Sequence, residues 1–369
     1  MNLSGLISLW LAISGQKDVP SQSGLRWLSE FTLTKNLKSE KFFEVELSLN
    51  SLATTNFRNF SHFSIESRIK PYRAQVRYSS SVLEARIGLQ KITFGSAYFL
   101  RPLMWFDHLD PRDPLQITDG VYGLLLRYYF LSNTNLWFWG LYGNNEPKGW
   151  EILATARKKP EFGGRIQVPL GQGELGLSLH HRQACLNQKA GKSSASLTLD
   201  NLRNETSERF IPEDRFGLDG KWDIGIGLWF EVTFIRQRNE FLTTNRQRAY
   251  TIGLDYTLAI KRGLHILTEY FELSSGKNTW RGIEKIKLMA FSLSYPLNLI
   301  DNLMTVIYYD CQKRDPFLFF RWQRVYDRWN FHFMAFWNAE HLTIYRLTNT
   351  SANHLFSGKG LQLLVAFYY

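Results

Sequence analysis

The nine residues "FFEVELSLN", Phe42–Asn50, decide the fold, because apolar and polar side chains alternate without a break from Phe43 to Asn50. Successive side chains of a β-strand point to opposite faces of the sheet, whereas an α-helix repeats about every 3.6 residues. The segment is therefore predicted to be a strand with one apolar and one polar face. The apolar face carries Phe43, Val45, Leu47 and Leu49, and the polar face carries Glu44, Glu46, Ser48 and Asn50.

The same period of two recurs along the chain, and no stretch of comparable length has a helical period. Residues 62–69 and 72–78 are interpreted as two consecutive strands, each with an apolar side. Further apolar positions of this kind are Leu25, Trp27, Phe31, Leu33, Phe63, Ile65, Ile69, Tyr72, Ala74, Val76, Tyr78, Leu83, Ala85, Ile87 and Leu89.

The first sixteen residues, "MNLSGLISLWLAISGQ", allow two interpretations. They could form the apolar part of a secretory signal, but no Lys or Arg precedes them. With a period of two, Leu3, Ile7, Leu9, Leu11 and Ile13 share one side. We favour a first strand, with a signal peptide removed or lying upstream.

Composition narrows the class of protein. The chain has 369 residues, a net charge of +11 and a mean hydropathy of −0.25. No window of eighteen uncharged apolar residues indicates a transmembrane helix. The positive charge is compatible with nucleic acid, an anionic membrane surface or an acidic solute. Cys185 and Cys311 form no disulfide framework, and two free thiols are as compatible with the sequence as one bridge.

Turn signals favour a closed barrel over a soluble β-sandwich. Short breaks such as "VPLGQGE" and "AIKRG" alternate with long polar stretches, above all 185–209. Outer-membrane barrels have this asymmetry between their two ends, and a lipid-facing apolar phase opposite a wet interior. The last residues, "GKGLQLLVAFYY", form an amphipathic strand that ends in an aromatic residue. We therefore predict an all-β fold, a single transmembrane antiparallel barrel over 1–369, with about 18 strands and a range of 16–20.

One block resembles a known group of proteins. "RIGLQKITFGSAYFLRPLMWFDHLDPRDPLQITDGVYGLLLRYYF", Arg86–Phe130, is similar to uncharacterised porin-like barrels of Gram-negative outer membranes. It is more loosely similar to alginate-export and related porin families, in which a strand with Arg-Ile-Gly-x-Gln leads to Phe/Trp-Gly and a Pro/Asp-rich loop. The resemblance implies a solute channel or an exporter in the outer membrane of a Gram-negative bacterium.

The irregular insertion 91–119 lies within this block. Its three prolines cannot join a strand ladder, and its charges do not suit lipid. We expect it to fold into the lumen as a constriction, with a rim loop as the alternative. Internal salt bridges of Arg101 and Arg112 with the aspartates would explain the charges without any binding role. The candidate lumen residues are Arg86, Gln90, Lys91, Arg101, Trp105, Asp107, His108, Asp110, Arg112 and Asp113.

Charges on the polar sides of the early strands have two explanations. They form a solvated ladder of opposite charges, or the arginines select anions. They are Arg68, Arg73, Arg77 and Arg86, with Glu44, Glu46, Glu66 and Glu84 opposite them.

No enzyme, cofactor or metal site is predicted. The run "DHLDPRD" matches no calcium loop, and Arg112 competes for its carboxylates. On a strand only His180 reaches the lumen, while His181 lies on the leucine side, so the pair forms no catalytic constellation. Arginines spread along strands do not form a nucleic-acid patch.

The expected partners are outer-membrane lipid and a small hydrophilic solute, anionic or sugar-like. A barrel that serves as a scaffold or export partner, with envelope proteins bound, is the alternative. An outer-membrane hydrolase is less favoured.

Overall fold

Eighteen antiparallel strands form one closed sheet in the computed structural model, in which each strand pairs with its neighbours in the chain. The structure describes residues 1–15, 21–37, 40–59, 62–107, 109, 112–151, 153–186, 209–238, 245–277, 284–338 and 358–369. The strands are β1 Asn2–Ser14, β2 Ser21–Asn36, β3 Phe42–Asn59, β4 His62–Ser79, β5 Leu83–Gln90, β6 Val121–Tyr129, β7 Asn135–Leu141, β8 Glu161–Leu170, β9 Gly173–Leu186, β10 Arg209–Asp223, β11 Gly227–Gln237, β12 Arg246–Leu258, β13 Leu264–Gly276, β14 Glu284–Pro296, β15 Asp301–Asp310, β16 Asp315–Val325, β17 Trp329–Trp337 and β18 Lys359–Tyr368.

The first and last strands close the barrel. β1 pairs with β18 from Leu6 opposite Tyr368 to Ser14 opposite Gly360. The predicted antiparallel barrel and its estimated strand number are therefore confirmed, and residues 2–14 form a strand. In the part of the chain that the structure describes, no helix is long and apolar enough to cross a membrane.

The outer face of the barrel is apolar. Leu9, Ile65 and Ile87 are 57%, 66% and 59% exposed, while Ser8, next to Leu9, is fully buried on the inner face. This alternation matches the predicted register at these positions. Val45 and Phe367, for which the same orientation is predicted, are half-buried.

The two ends of the barrel differ. Connections at one end are short, and both termini lie there; we call this the short-turn end. The other end, the long-loop end, has the connections 91–120, 142–160, 187–208 and 338–358. Pairs of outward-facing aromatic residues lie near the short-turn end, with ring centroids 5.0 Å apart for Phe43 and Tyr78 and 4.7 Å apart for Trp329 and Phe367.

A β-bulge corrects the interpretation of residues 62–78 as two strands. They form the single strand β4, and the register shifts so that Ser48 lies opposite Arg73 while Leu49 lies opposite Pro71. Tyr72 is the additional residue. The bulge exchanges the faces of odd and even positions, which is why the sequence pattern changes phase there. Tyr72 consequently packs inward, not outward with Ala74 and Val76 as predicted.

The interior is divided into a polar and an apolar sector. The expectation of a polar inner phase holds on β8–β11, where the buried inward residues include Arg165, His180, Arg182, Glu213, Arg215, Asp219 and Glu231. It does not hold on most of β12–β17. The buried inward residues there include Ala249, Phe271, Leu273, Leu288, Ala290, Val306, Tyr308, Phe317, Phe319, Met334 and Phe336.

Candidate functional site

The segment Lys91–Gly120, called the inner segment below, connects β5 to β6 and contacts inward-facing side chains far around the barrel. At its start, the fully buried Gln90 donates through Nε2 to the carbonyl of Gly123, 2.9 Å away. The side chains of Ile92 and Phe94 then pack on Leu125 and Trp139 of β6 and β7. The start of the inner segment therefore stays packed on the inner wall of the barrel through its apolar side chains.

Two carboxylates on the opposite side of the barrel bind the backbone of the inner segment. Glu231 of β11 accepts hydrogen bonds from the N–H groups of Ala97 at 2.8 Å and Leu103 at 3.0 Å. Glu269 of β13 accepts three more, from residues 98, 99 and 100, at 2.7, 2.9 and 2.8 Å. These five N–H groups cannot join the strand ladder, and the carboxylates replace it as acceptors. Charged acceptors of this kind form the stronger class of hydrogen bond.

Glu269 also accepts from Trp229 Nε1 at 3.0 Å, and Thr251 of β12 donates to the carbonyl of Leu100. The side chain of Leu100 lies in the apolar sector, and Phe99 meets Tyr308 of β15 with ring centroids 6.0 Å apart. The inner segment therefore crosses the interior from β5 to β15.

An internal ion pair holds the turn of the segment. Arg101 donates to Asp107 at 3.2 Å, and Thr93 donates to the same carboxylate at 3.0 Å. Arg101 also donates to the carbonyl of Phe94 at 3.1 Å. Both members of the pair are buried. These contacts agree with the alternative that the charges of the segment hold it in place.

The side chains of Trp105 and Phe106 are buried and are not exposed in the interior of the barrel. They are 2% and 3% exposed, and they surround His180 with ring centroids 6.1 and 5.1 Å from the imidazole. Trp139 donates to His180 Nδ1 at 3.1 Å, and Glu161 lies 3.3 Å from its Nε2. His180 points inward, and His181 points outward to Asp214, as expected from strand geometry.

The segment returns along the remaining wall. Arg112 is buried beside β15–β17, and Leu115 and Ile117 pack on Trp10 and Leu364. The Arg73 guanidinium donates to the carbonyl of Thr118 at 3.1 Å.

The other predicted site residues fall into three groups. Arg86 remains on the wall, 2.7 Å from Glu84, which also binds Arg77 at 2.7 Å. Lys91 is exposed; desolvation and the neighbouring Arg73 and Arg101 lower its pKa, while Asp107 opposes this. His108 and Asp110 lie outside the described residues.

A second connection, 142–160, also turns inward, and the sequence patterns did not reveal it. Trp150 donates to the carbonyl of Arg101 at 2.7 Å and stacks on Phe271 at 5.8 Å. Glu151 binds Arg182 at 3.1 Å and Arg215 at 2.7 Å. Both arginines also bind Glu213, at 2.6 and 2.7 Å. The inner segment is thus held from the long-loop side as well.

A cationic group lines the interior near β16 and β17. Arg321 and Arg112 border one small pocket with Tyr308, Phe319 and Met334. The Arg321 guanidinium contacts Met304 Sδ, 3.1 Å from Nη2.

His332 lies next to this pocket, on the inner face of β17 and two positions from Met334. It is 2% exposed, and neither ring nitrogen has a hydrogen-bond partner in the described protein. Asp113 is close enough to attract Arg321 electrostatically. This part of the interior therefore offers donors that an anion would satisfy.

The described ranges contain no group of three or more His, Cys, Asp or Glu side chains arranged to hold a metal ion.

Comparison with known proteins gives a likeness of fold. No family model matches the sequence, and no curated protein matches it. The match to the structure of OccAB4 from Acinetobacter baumannii spans 100% of this chain and 97% of the OccAB4 chain, with a TM-score of 0.56 and 8% sequence identity. The match to an anion-selective porin from Comamonas acidovorans spans 100% of this chain and 99% of the porin chain, with a TM-score of 0.49 and 12% sequence identity. The match to Salmonella typhi OmpF, solved in complex with daunomycin, spans 100% of this chain and 96% of the OmpF chain, with a TM-score of 0.49 and 10% sequence identity.

The chain therefore has a closed antiparallel barrel fold similar to that of OccAB4. At these identities the likeness extends to the fold and no further.

Proposed function

We propose that the protein is a channel of the Gram-negative outer membrane for small hydrophilic solutes, with the inner segment as its narrowest part. A barrel of 18 strands encloses a wide interior, and the apolar outer face suits lipid. The asymmetry of the connections supports an orientation with the short turns and both termini in the periplasm.

The observation that carries the proposal is the attachment of the inner segment to the far wall. The carboxylates of Glu231 and Glu269 bind five of its N–H groups from strands that lie across the interior from β5. A segment held at both ends and in its middle reduces the open cross-section of a barrel of this size. Passage then depends on the size and charge of the solute.

The interior charges support a preference for anions. The chain carries +11, and the pocket beside β16–β17 combines Arg112, Arg321 and the neighbouring His332. Rings of arginine favour anions in pores. A sugar-like solute has less support, because the rings of Trp105 and Phe106 are covered by the wall and offer no free face.

Purified protein in planar lipid bilayers tests the proposal. We expect discrete conductance steps and, under a potassium chloride gradient, a reversal potential whose sign shows chloride to be more permeant than potassium. Folded protein that inserts but does not conduct would contradict the channel. If such protein also co-purified with a stoichiometric envelope partner, the scaffold or export alternative would replace it.

A further inference from the structure

A basic patch occupies the outer face of β11–β14 near the long-loop end. Side chains on this face alternate with buried inward residues, such as Glu231 and Thr233 on β11 and Ala249 and Thr251 on β12. The patch is formed by Arg236, Arg238, Arg246, Arg248, Lys285 and Lys287.

The patch begins where the apolar band of the outer face ends. Along β12 the outward residues are Leu254 and Ile252, which are 42% and 59% exposed, then Tyr250, and then Arg248 and Arg246. Along β14 they are Phe291 and Met289, 37% and 44% exposed, followed by Lys287 and Lys285. The change from apolar through tyrosine to basic corresponds to the change from hydrocarbon to headgroups in a bilayer.

Two members of the patch face each other. Arg236 of β11 lies directly opposite Arg246 of β12 in the strand register, and both side chains are exposed. Like charges directly opposite each other on neighbouring strands are unfavourable. No described acidic side chain lies within 4.0 Å of either guanidinium. An anion between them would remove the repulsion.

The acids near the patch do not neutralise it. Glu272 lies 3.3 Å from Arg248 and 3.9 Å from Lys287, and Asp214 binds Arg238 at 2.5 Å. Among the described residues of the patch and its contacts, six basic side chains therefore meet two acidic ones. The surplus is largest at Arg246, because Asp214 of β10 lies directly opposite Arg236 in the strand register.

We propose that this patch binds the phosphorylated headgroups of lipids in the outer leaflet. The inference rests on the outer-membrane location of the proposed function. Arginine binds phosphate through two parallel hydrogen bonds, and a pair of facing arginines suits a headgroup with more than one phosphate. The patch lies directly next to the apolar band of the outer face, so the acyl chains of a bound molecule would lie on Ile252, Leu254 and Phe234. This position favours a lipid as the ligand.

Native mass spectrometry in a neutral detergent provides the test, with diphosphorylated lipid A as the probe. We expect the R236Q/R246Q variant to bind it about tenfold more weakly than the unaltered protein. The matched variant K261Q/R328Q removes the same charge at the short-turn end and should bind within about twofold of the unaltered protein. Lipid A without its phosphates should bind all three proteins as weakly as R236Q/R246Q binds the phosphorylated form.

Equal binding of the phosphorylated lipid by R236Q/R246Q and the unaltered protein would overturn the proposal. So would displacement of the lipid by millimolar inorganic phosphate, since the site would then recognise a free anion. A change of oligomeric state in R236Q/R246Q, with lipid binding unaltered, would instead make the patch an interface between copies of the chain. Conductance of each variant, measured in parallel, separates failure of this inference from failure of the channel.

Discussion

The carboxylate of Glu231 accepts a hydrogen bond from the backbone N–H of Ala97 at 2.8 Å, although the two residues are 134 positions apart in the chain. This contact and those of Glu269 fix an irregular segment inside a barrel in which every strand pairs with both of its neighbours. The position of the inner segment thus depends on two side chains of the opposite wall.

Removal of these carboxylates should release the segment. We expect the E231A/E269A variant to conduct more per channel and to show noisier open states, because five N–H groups of the inner segment lose their acceptors. Each unsatisfied N–H group costs about 1–3 kcal/mol, so the segment should detach before the barrel unfolds. Single-channel recording measures the effect. E174A, which removes an exposed inward carboxylate near the short-turn end, is the control and should conduct normally. Unchanged conductance of E231A/E269A would show that the two carboxylates do not position the segment.

The cationic group beside β16–β17 should set ion preference. The R321Q/H332Q variant is expected to shift the reversal potential toward that of an unselective pore, because it removes one charge and one donor site next to Arg112. R328Q also removes one arginine, but from an exposed turn. Selectivity should be unaltered in R328Q, and an equal shift in both variants would assign the effect to net charge alone.

Closure of the barrel should depend on the last three residues. Leu6 and Ile7 pair with Tyr368 and Phe367, and the Tyr369 hydroxyl accepts from Trp27 Nε1 at 2.9 Å. A chain that ends at Ala366 loses these contacts between β18 and its neighbours. We expect the truncated chain to lose the heat-modifiable band of a folded barrel on electrophoresis. A normal band would place the closure signal elsewhere.

The outer face should react only with reagents dissolved in the membrane. We expect L9C, I65C and I87C to be labelled by a maleimide that partitions into lipid and to resist a charged, water-soluble one. E174C, on the inner phase of β9 and exposed, should show the opposite preference. Rapid labelling of L9C by the water-soluble reagent would contradict the register of β1.

Most of the fold was predictable, because the period of two depends only on neighbouring residues. The alternation predicted the outward face correctly at Leu9 of β1, Ile65 of β4 and Ile87 of β5. The change of phase at Tyr72 was visible in the sequence, but the pattern alone did not distinguish one bulged strand from two separate strands.

Less of the interior was predictable. In the sequence, Glu231 and Glu269 look like any other carboxylate on the inner face of a strand. Their partners are backbone groups of a segment that has no periodic pattern, so no sequence motif marks the contacts. Phe271 and Phe319 occupy the inner phase, where alternation predicts a wet wall, and only the packing of Leu100 and Trp150 explains them. Long-range contacts of this kind leave no local signal.

The most direct test of the account replaces the inner segment itself. A barrel in which 91–120 is exchanged for a short Gly/Ser linker keeps all eighteen strands, so it should still fold and insert. We predict a larger single-channel conductance and a weaker preference between chloride and potassium than in the unaltered protein, because the narrow part and Arg112 are gone. A folded barrel with unchanged conductance and unchanged selectivity would contradict the claim that this segment narrows the pore.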